Sequence, residues 1–200
     1  MSLCQFWHLY FERNYPTEDI VGELGYGFLF TRLALLQAHV AHSLKNLQAM
    51  FYKKLPHVSL TSESAKREVM VAPILLELLD EIEVKIDIEY SIFVNGRLKG
   101  TVDYWIRSGR EFLVAGAKKS DMEKGFTQLA VELIAMDQYL QSTTQEIYGA
   151  VTVDDVWRFG KLERSVRRIL KDIDAFRVPL DIKDLFRVLV GILSPAEDAG

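Results

Sequence analysis

The 200-residue chain contains one cysteine, Cys4, and its acids outnumber its bases by 28 to 24. A single cysteine cannot form an internal disulfide or a cysteine-based zinc site, which favours a reducing compartment. The formal net charge of −4 gives no overall positive field for nucleic acid, although individual clefts can still be basic. With 49% hydrophobic and 26% charged residues, the composition is that of a globular protein with a sizeable core.

Long apolar runs are also missing. The most apolar segment, residues 24–44, is interrupted by Arg32, His39 and His42 and falls short of the roughly 20 apolar residues that a membrane span needs. The first residues lack a basic stretch ahead of an apolar one, so we expect no signal peptide and a cytoplasmic protein without membrane contacts. His39 and His42 have a spacing that could ligate a metal, but no third ligand follows nearby, and we interpret them as structural.

The first third of the chain has helical periodicity. After Thr17, apolar residues recur at about 3.6-residue intervals, which predicts one long helix or two shorter ones ending near Pro56. This segment is apolar on nearly every side, so it should pack on the rest of the chain or on a second copy. We therefore predict an N-terminal helical arm at 1–58, a candidate homodimerisation element, followed by a core domain at 59–200.

The core alternates helices and strands. A helix starting near Ser62 precedes a strand with period-two alternation at 84–94, and Asn95-Gly96 predicts a two-residue turn into a second strand. A third strand, a helix capped by Ser120 and Glu123, two more strands, and a final helix beginning at Asp181 follow. Residues 166–176 fit either a helix or an edge strand. We expect an α/β fold of the α+β type, with a central mixed sheet of four to five strands flanked by helices.

One group of side chains in this core could carry chemistry. If a turn centres on Ser108 and Gly109, Asp103 lies opposite Val114, on the same face as Gly116 and Lys118. Gln128 and Glu132, one helical turn apart, point away from their helix's apolar stripe and so are candidates for the same space. A carboxylate beside a lysine suits a magnesium-dependent phosphodiesterase, and it equally suits a structural ion pair.

The strings KREVMVAPIL, LKGTVDYWI, FLVAGAKK and GFTQLAVELIA, in this order, resemble the PD-(D/E)XK nuclease superfamily. They are similar to small restriction-endonuclease-like proteins with a G-x-x-D-Y strand, a V-E-A-K strand, a glutamine-bearing helix and a G-x-V-T…W-x-F hairpin. The resemblance implies a restriction-endonuclease-like core that binds Mg²⁺ or Mn²⁺. It implies that Asp103 is a metal ligand, that Lys118 orients the attacking water and that Gln128 contacts the site or the nucleic acid. Glu68, or less favourably Glu63, would assist metal binding through water.

One position departs from that pattern, since Gly116 stands where the superfamily has its second acidic ligand. Loss of one of two anionic ligands leaves a weak magnesium site unless another carboxylate substitutes. Glu132 is the first candidate, and Glu123 is the second. Three functions therefore stay open: a metal-dependent nuclease acting on DNA, a catalytically degenerate module that binds nucleic acid or protein, and a homodimeric structural protein.

Two further features concern residues 157–187. Nine bases face five acids between 158 and 187, a local surplus that either tracks a phosphate backbone or forms a solvated face. Trp157 and Phe159 alternate along a predicted strand, which favours core packing for both.

Overall fold

The structure, a computed structural model, describes residues 15–96, 98–108, 110–116, 121–141 and 144–194. Its helices are α1 (Thr17–Glu23), α2 (Lys45–Lys54), α3 (Glu63–Lys66), α4 (Ala72–Glu77), α5 (Met122–Tyr139) and α6 (Ile182–Leu193). A π-helical turn (Arg67–Val71) joins α3 to α4 and a 3₁₀ turn (Leu78–Asp80) follows α4, so we refer to residues 63–80 as the 63–80 segment. Another 3₁₀ turn (Leu55–His57) follows α2.

The strands are β1 (Gly27–Thr31), β2 (Lys85–Phe93), β3 (Lys99–Arg107), β4 (Glu111–Gly116), β5 (Glu146–Val153), β6 (Val156–Glu163), β7 (Arg168–Asp172) and β8 (Phe176–Arg177). They form one mixed 8-stranded sheet in the order β1-β7-β6-β5-β4-β3-β2, with β8 paired to β6. The pairs β1–β7 and β4–β5 are parallel and the other pairs are antiparallel. The prediction of four to five strands was therefore wrong, although the α+β character is confirmed.

The additional strands come from regions whose periodicity was ambiguous or helical. Residues 166–176 supply β7, which is a strand and not a helix, but it is not the expected edge strand because it lies between β1 and β6. Residues 27–31 form β1 rather than part of a helix. The sequence GFLFT is rich in strand-forming residues, and Gly25, with a φ of 82°, turns the chain between α1 and β1.

The predicted helical arm is thus interrupted by a strand that belongs to the main sheet. After β1, residues 32–44 run without regular structure along α6, where the Ala38 amide donates to the Arg187 carbonyl at 3.0 Å. Gly191 allows this close approach, because a Cβ there would lie 2.6 Å from the Leu36 carbonyl oxygen. The dimerisation role of the arm stays a prediction.

Each face of the sheet is covered by a hydrophobic core. One core joins α2, the 63–80 segment and α6 to one face, and the other joins α1 and α5 to the opposite face. Trp157 and Phe159 are fully buried in the first core, which confirms their predicted packing role. Tyr104 and Trp105 belong to different cores, and both are buried because neither face is open to solvent.

The predicted order of helix, three strands, helix and two strands is present from the 63–80 segment through β6. The hairpin at Asn95 is also present, but its loop spans residues 94–98 and the Asn95 side chain accepts a hydrogen bond from the Leu98 amide. No helix in the described part of the chain is long and apolar enough to cross a membrane.

Candidate functional site

The predicted site residues of the sheet lie at one of its ends. In the parallel pair β4–β5, Gly116 at the end of β4 is opposite Thr152 near the end of β5. In the antiparallel pair β3–β4, the register runs from Arg107 to Tyr104, and Asp103 is the next residue of β3. Asp103 and Gly116 therefore occupy the end of the sheet where the paired part of β3 and β4 stops.

The register differs by one residue from the prediction. Residues 108–110 separate Arg107 from its partner Glu111, so the connection is one residue longer than the expected turn. Tyr104, not Asp103, is opposite Val114, and a shift of one residue moves a side chain to the other face of a strand. The predicted pairing of Asp103 with Val114 was therefore wrong. Asp103 lies beyond the paired part of β3 and β4, and its side chain contacts the 63–80 segment, which covers the face that holds Tyr104 and Val114, so its sharing a face with Gly116 and Lys118 stays a prediction. Lys118 itself lies outside the described residues.

The carboxylate of Asp103 is held by an arginine. Nη1 of Arg67 donates to Oδ1 of Asp103, and Nη2 of the same guanidinium donates to Oε1 of Glu89 at 3.3 Å. The side chains of Arg67 and Asp103 are only 16% and 12% exposed. Burial by itself lowers the pKa of Arg67, but Asp103 and other nearby acids raise that pKa above its usual value, so the guanidinium stays charged.

The π-helical turn positions this arginine. Such turns are rare and are often found at functional sites. Lys66, the residue before Arg67, pairs with Asp154 in the β5–β6 turn, with Nζ and Oδ1 2.6 Å apart. Two successive cations thus fasten the 63–80 segment to the middle of β3 and to the turn after β5. Tyr104, which follows Asp103, has its pKa raised by burial.

Gln128 and Glu132 form a buried pair on α5. Nε2 of Gln128 donates to Oε1 of Glu132 at 2.8 Å, and Glu132 is 1% exposed. Residues 125–136 of this helix are all buried, and α1 packs on α5, with the Thr17 and Thr127 hydroxyls 2.7 Å apart. The two polar side chains are thus buried and bonded to each other, and their orientation toward the predicted site stays a prediction.

The other predicted acids have separate environments. Glu68, the proposed helper of metal binding, is exposed on the π-helical turn. Glu123, the second candidate to replace the missing ligand, accepts hydrogen bonds from Nζ of Lys171 at 2.5 and 2.6 Å. The cap of α5 is Asp121, whose carboxylate accepts from two backbone amides, and Ser120 lies outside the described residues.

The described candidate ligands do not assemble into a three-carboxylate magnesium centre. A hard cation needs several oxygen ligands around one point, and Asp103, Glu132 and Glu68 do not form a group with ligand atoms all within 4.8 Å of one another. Asp103 is already bound to a guanidinium, and Gly116 has no carboxylate to offer. Within the described residues, the group that meets this distance criterion is His42, Glu77 and Asp80, which includes none of the predicted ligands.

Four of the nine bases at 158–187 form ion pairs with carboxylates of neighbouring elements. Lys161 pairs with Glu146, Arg164 with Asp137, Arg168 with Glu163, and Lys171 with Glu123. A cation that is already paired with a carboxylate contributes less to binding a phosphate backbone. These four cations connect strands and helices of the fold, so the nucleic-acid interpretation of this stretch is limited to its other bases.

Comparison of the chain with protein-family models, with curated proteins and with solved structures finds no significant match. The roles of the site residues are therefore argued from the contacts described above.

Proposed function

We propose that this chain is a restriction-endonuclease-like protein that binds nucleic acid without cleaving it. The observation that carries the proposal is the Arg67 guanidinium bound to the Asp103 carboxylate. Asp103 is the one acid of the sheet that the resemblance to PD-(D/E)XK nucleases implies as a metal ligand. The order of helix, three strands, helix and strand supports the same relationship.

The ion pair disfavours metal-dependent catalysis for a physical reason. A divalent cation at Asp103 would have to displace a mostly buried guanidinium, which would then lose its main counterion. Mg²⁺ also dehydrates reluctantly, and Gly116 removes the second carboxylate that the superfamily offers it. In a metal-dependent nuclease a metal ion supplies the positive charge beside this aspartate, whereas here the Arg67 guanidinium supplies it.

A separate cleft offers charge for phosphate groups. It has a volume of about 260 Å³ and is lined by Lys45, Lys183 and Arg187 together with Ser43. The first turn of α2, which starts at Lys45, contains no acid. Cations around a cleft of this size suit phosphate contacts, which give affinity that falls steeply with salt. We assign the backbone contacts of the bound nucleic acid to this cleft.

Two measurements on the full-length protein test the proposal. Fluorescence anisotropy with labelled single- and double-stranded DNA and RNA should show binding that weakens as salt rises. The double variant Lys45→Gln/Lys183→Gln should bind more weakly, and its salt slope should fall by about one for each phosphate that the protein no longer neutralises. The matched control is Lys85→Gln, an exposed lysine on the edge strand β2, which should bind like the wild type.

The second measurement incubates the same nucleic acids with Mg²⁺ or Mn²⁺ and looks for cleavage. We expect none. Cleavage that disappears in Asp103→Ala would overturn the proposal and establish the nuclease alternative. Absence of binding at low salt, or equal binding by the Lys45/Lys183 variant and the wild type, would overturn the assignment of the nucleic-acid partner and of the cleft.

A further inference from the structure

His42 stands at the end of a segment that is held against the 63–80 segment. Residues 32–44 cross from β1 to α2, and the Glu81 carboxylate accepts hydrogen bonds from the backbone amides of Ala41 at 3.1 Å and His42 at 3.0 Å. Because both oxygens of Glu81 bind the backbone, the position of His42 is set independently of its side chain. The imidazole is thereby placed beside the last turn of the 63–80 segment.

Two carboxylates of that turn meet the imidazole. Glu77 ends α4 and Asp80 lies in the following 3₁₀ turn, so their spacing of three residues puts them on one side of the helical segment. Nε2 of His42 is 2.5 Å from Oε1 of Glu77. One ligand atom from each of His42, Glu77 and Asp80 lies within 4.8 Å of the others.

The environment of this group differs from that of ordinary surface acids. The side chains of His42 and Glu77 are only 29% and 22% exposed, whereas Asp80 is open to solvent. Three carboxylates, including that of Glu81, surround a single imidazole, so a cation bound there would relieve their mutual repulsion. An ion with bonds of about 2.0–2.2 Å to nitrogen and oxygen needs only small side-chain adjustments to reach all three ligands.

The donor set selects the class of metal. One imidazole nitrogen and two carboxylate oxygens suit borderline first-row ions such as Zn²⁺, whereas Mg²⁺ and Ca²⁺ prefer oxygen ligands alone. We propose that His42, Glu77 and Asp80 bind one divalent transition-metal ion that fastens the 32–44 segment to the 63–80 segment. Water completes the coordination of the ion. His42 also lines the cleft assigned to the phosphate contacts, so the metal site adjoins that cleft, whereas it shares no residue with the Arg67–Asp103 pair.

Isothermal titration of the full-length protein with Zn²⁺ tests the site. The wild type should bind one equivalent, and its thermal midpoint should rise in the presence of Zn²⁺. His42→Gln and Asp80→Asn should each lose at least about tenfold in affinity and lose the thermal shift. The matched control is His39→Gln, which removes an exposed imidazole three residues away and should keep the binding of the wild type.

Three results would overturn the site. The first is Zn²⁺ binding by His42→Gln at the affinity of the wild type, which would place the ion elsewhere. The second is an equal loss in His39→Gln and His42→Gln, and the third is a thermal shift with Mg²⁺ as large as that with Zn²⁺. Asp80→Asn changes an exposed side chain, so it reports on the site even if the His42 variant folds poorly.

Discussion

The guanidinium of Arg67 is bound to the carboxylate of Asp103, and the two side chains join the π-helical turn to the middle of β3. Both side chains are mostly buried. Removing one partner of such a pair leaves the other as a poorly compensated charge in a poorly solvated place, whereas removing both avoids that penalty. The pair therefore makes a testable contribution to stability as well as to the proposed loss of catalysis.

We expect Arg67→Met to lower the free energy of unfolding by about 2–4 kcal/mol, because the mostly buried Asp103 carboxylate then loses this guanidinium. Arg67→Met/Asp103→Asn should recover part of that loss. The matched control is Arg32→Met, whose partner Asp174 and own side chain are 56% and 82% exposed and which should cost less than about 1 kcal/mol. Urea unfolding followed by circular dichroism measures all three, and equal losses for Arg67→Met and Arg32→Met would contradict the buried pair.

The hydrogen bond between Gln128 and Glu132 supports a second prediction. Gln128→Met keeps the apolar volume but takes a donor from a carboxylate that is almost fully buried. The expected loss is about 1–3 kcal/mol, the usual cost of removing one partner of a buried hydrogen bond. Gln141→Met, an exposed substitution just after the same helix, should change stability by less than about 0.5 kcal/mol. A Gln128→Met variant as stable as the wild type would refute the importance of this bond.

The parts of the fold that the sequence predicts correctly are those with local signals. Alternation along 84–94 predicts β2, Asn95 marks the hairpin, and Trp157 with Phe159 identifies a strand of the core. Local patterns suffice there because side-chain period and turn chemistry depend on neighbouring residues. The same patterns establish the order of elements from the 63–80 segment to β6.

The remainder depends on contacts between distant residues. Strand β1 forms where it can pair with β7, and Arg67 finds its partner Asp103 36 residues later. A single extra residue between Arg107 and Glu111 was enough to shift the predicted pairing of Asp103 with Val114 by one residue. The group of possible metal ligands was missed for the same reason, because Glu77 and Asp80 are distant from His42 in the sequence. Its only local sign was the three-residue spacing between Glu77 and Asp80.

Tyr26 gives a prediction about alkaline pH. Burial, followed by the hydrogen bond to Asp137, raises its pKa to about 12, and its hydroxyl donates to Oδ2 of Asp137 at 2.6 Å. An unfolded tyrosine ionises near pH 10. Because the folded pKa is the higher one, the contribution of neutral Tyr26 to stability is fully present below about pH 10 and is lost as pH rises toward 12.

The ultraviolet absorbance of phenolate tests this pH dependence. Tyr26→Phe should remove a late-ionising component from the titration of the wild type and should flatten the fall in stability above pH 10. Tyr52→Phe, which removes a tyrosine that is 57% exposed, serves as the control and should leave the late component in place. Loss of the same component in both variants, or in neither, would contradict the assignment to Tyr26.

Gly160 on β6 supports the last prediction, which concerns the packing of α5 on the sheet. A Cβ at this position would lie 2.9 Å from two ring atoms of Phe126 and 3.3 Å from the Leu170 carbonyl oxygen. Phe126 is fully buried against the sheet and its ring packs on Phe28, so it has little freedom to move. The absence of a side chain at Gly160 is what allows α5 to approach β6 this closely.

Gly160→Ala should therefore cost about 1–3 kcal/mol through overpacking. Adding Phe126→Leu in the same chain should recover part of that cost by making room for the methyl group, although Phe126→Leu alone is destabilising. Gly22→Ala is the matched control, because its Cβ would meet no atom within 4 Å and it lies in α1. Alanine is favoured over glycine in a helix by up to about 1 kcal/mol, so that variant should be as stable as the wild type or more so. Equal stability of the two alanine variants in urea would show that α5 can shift away from β6, and would contradict the close packing that buries Gln128 and Glu132.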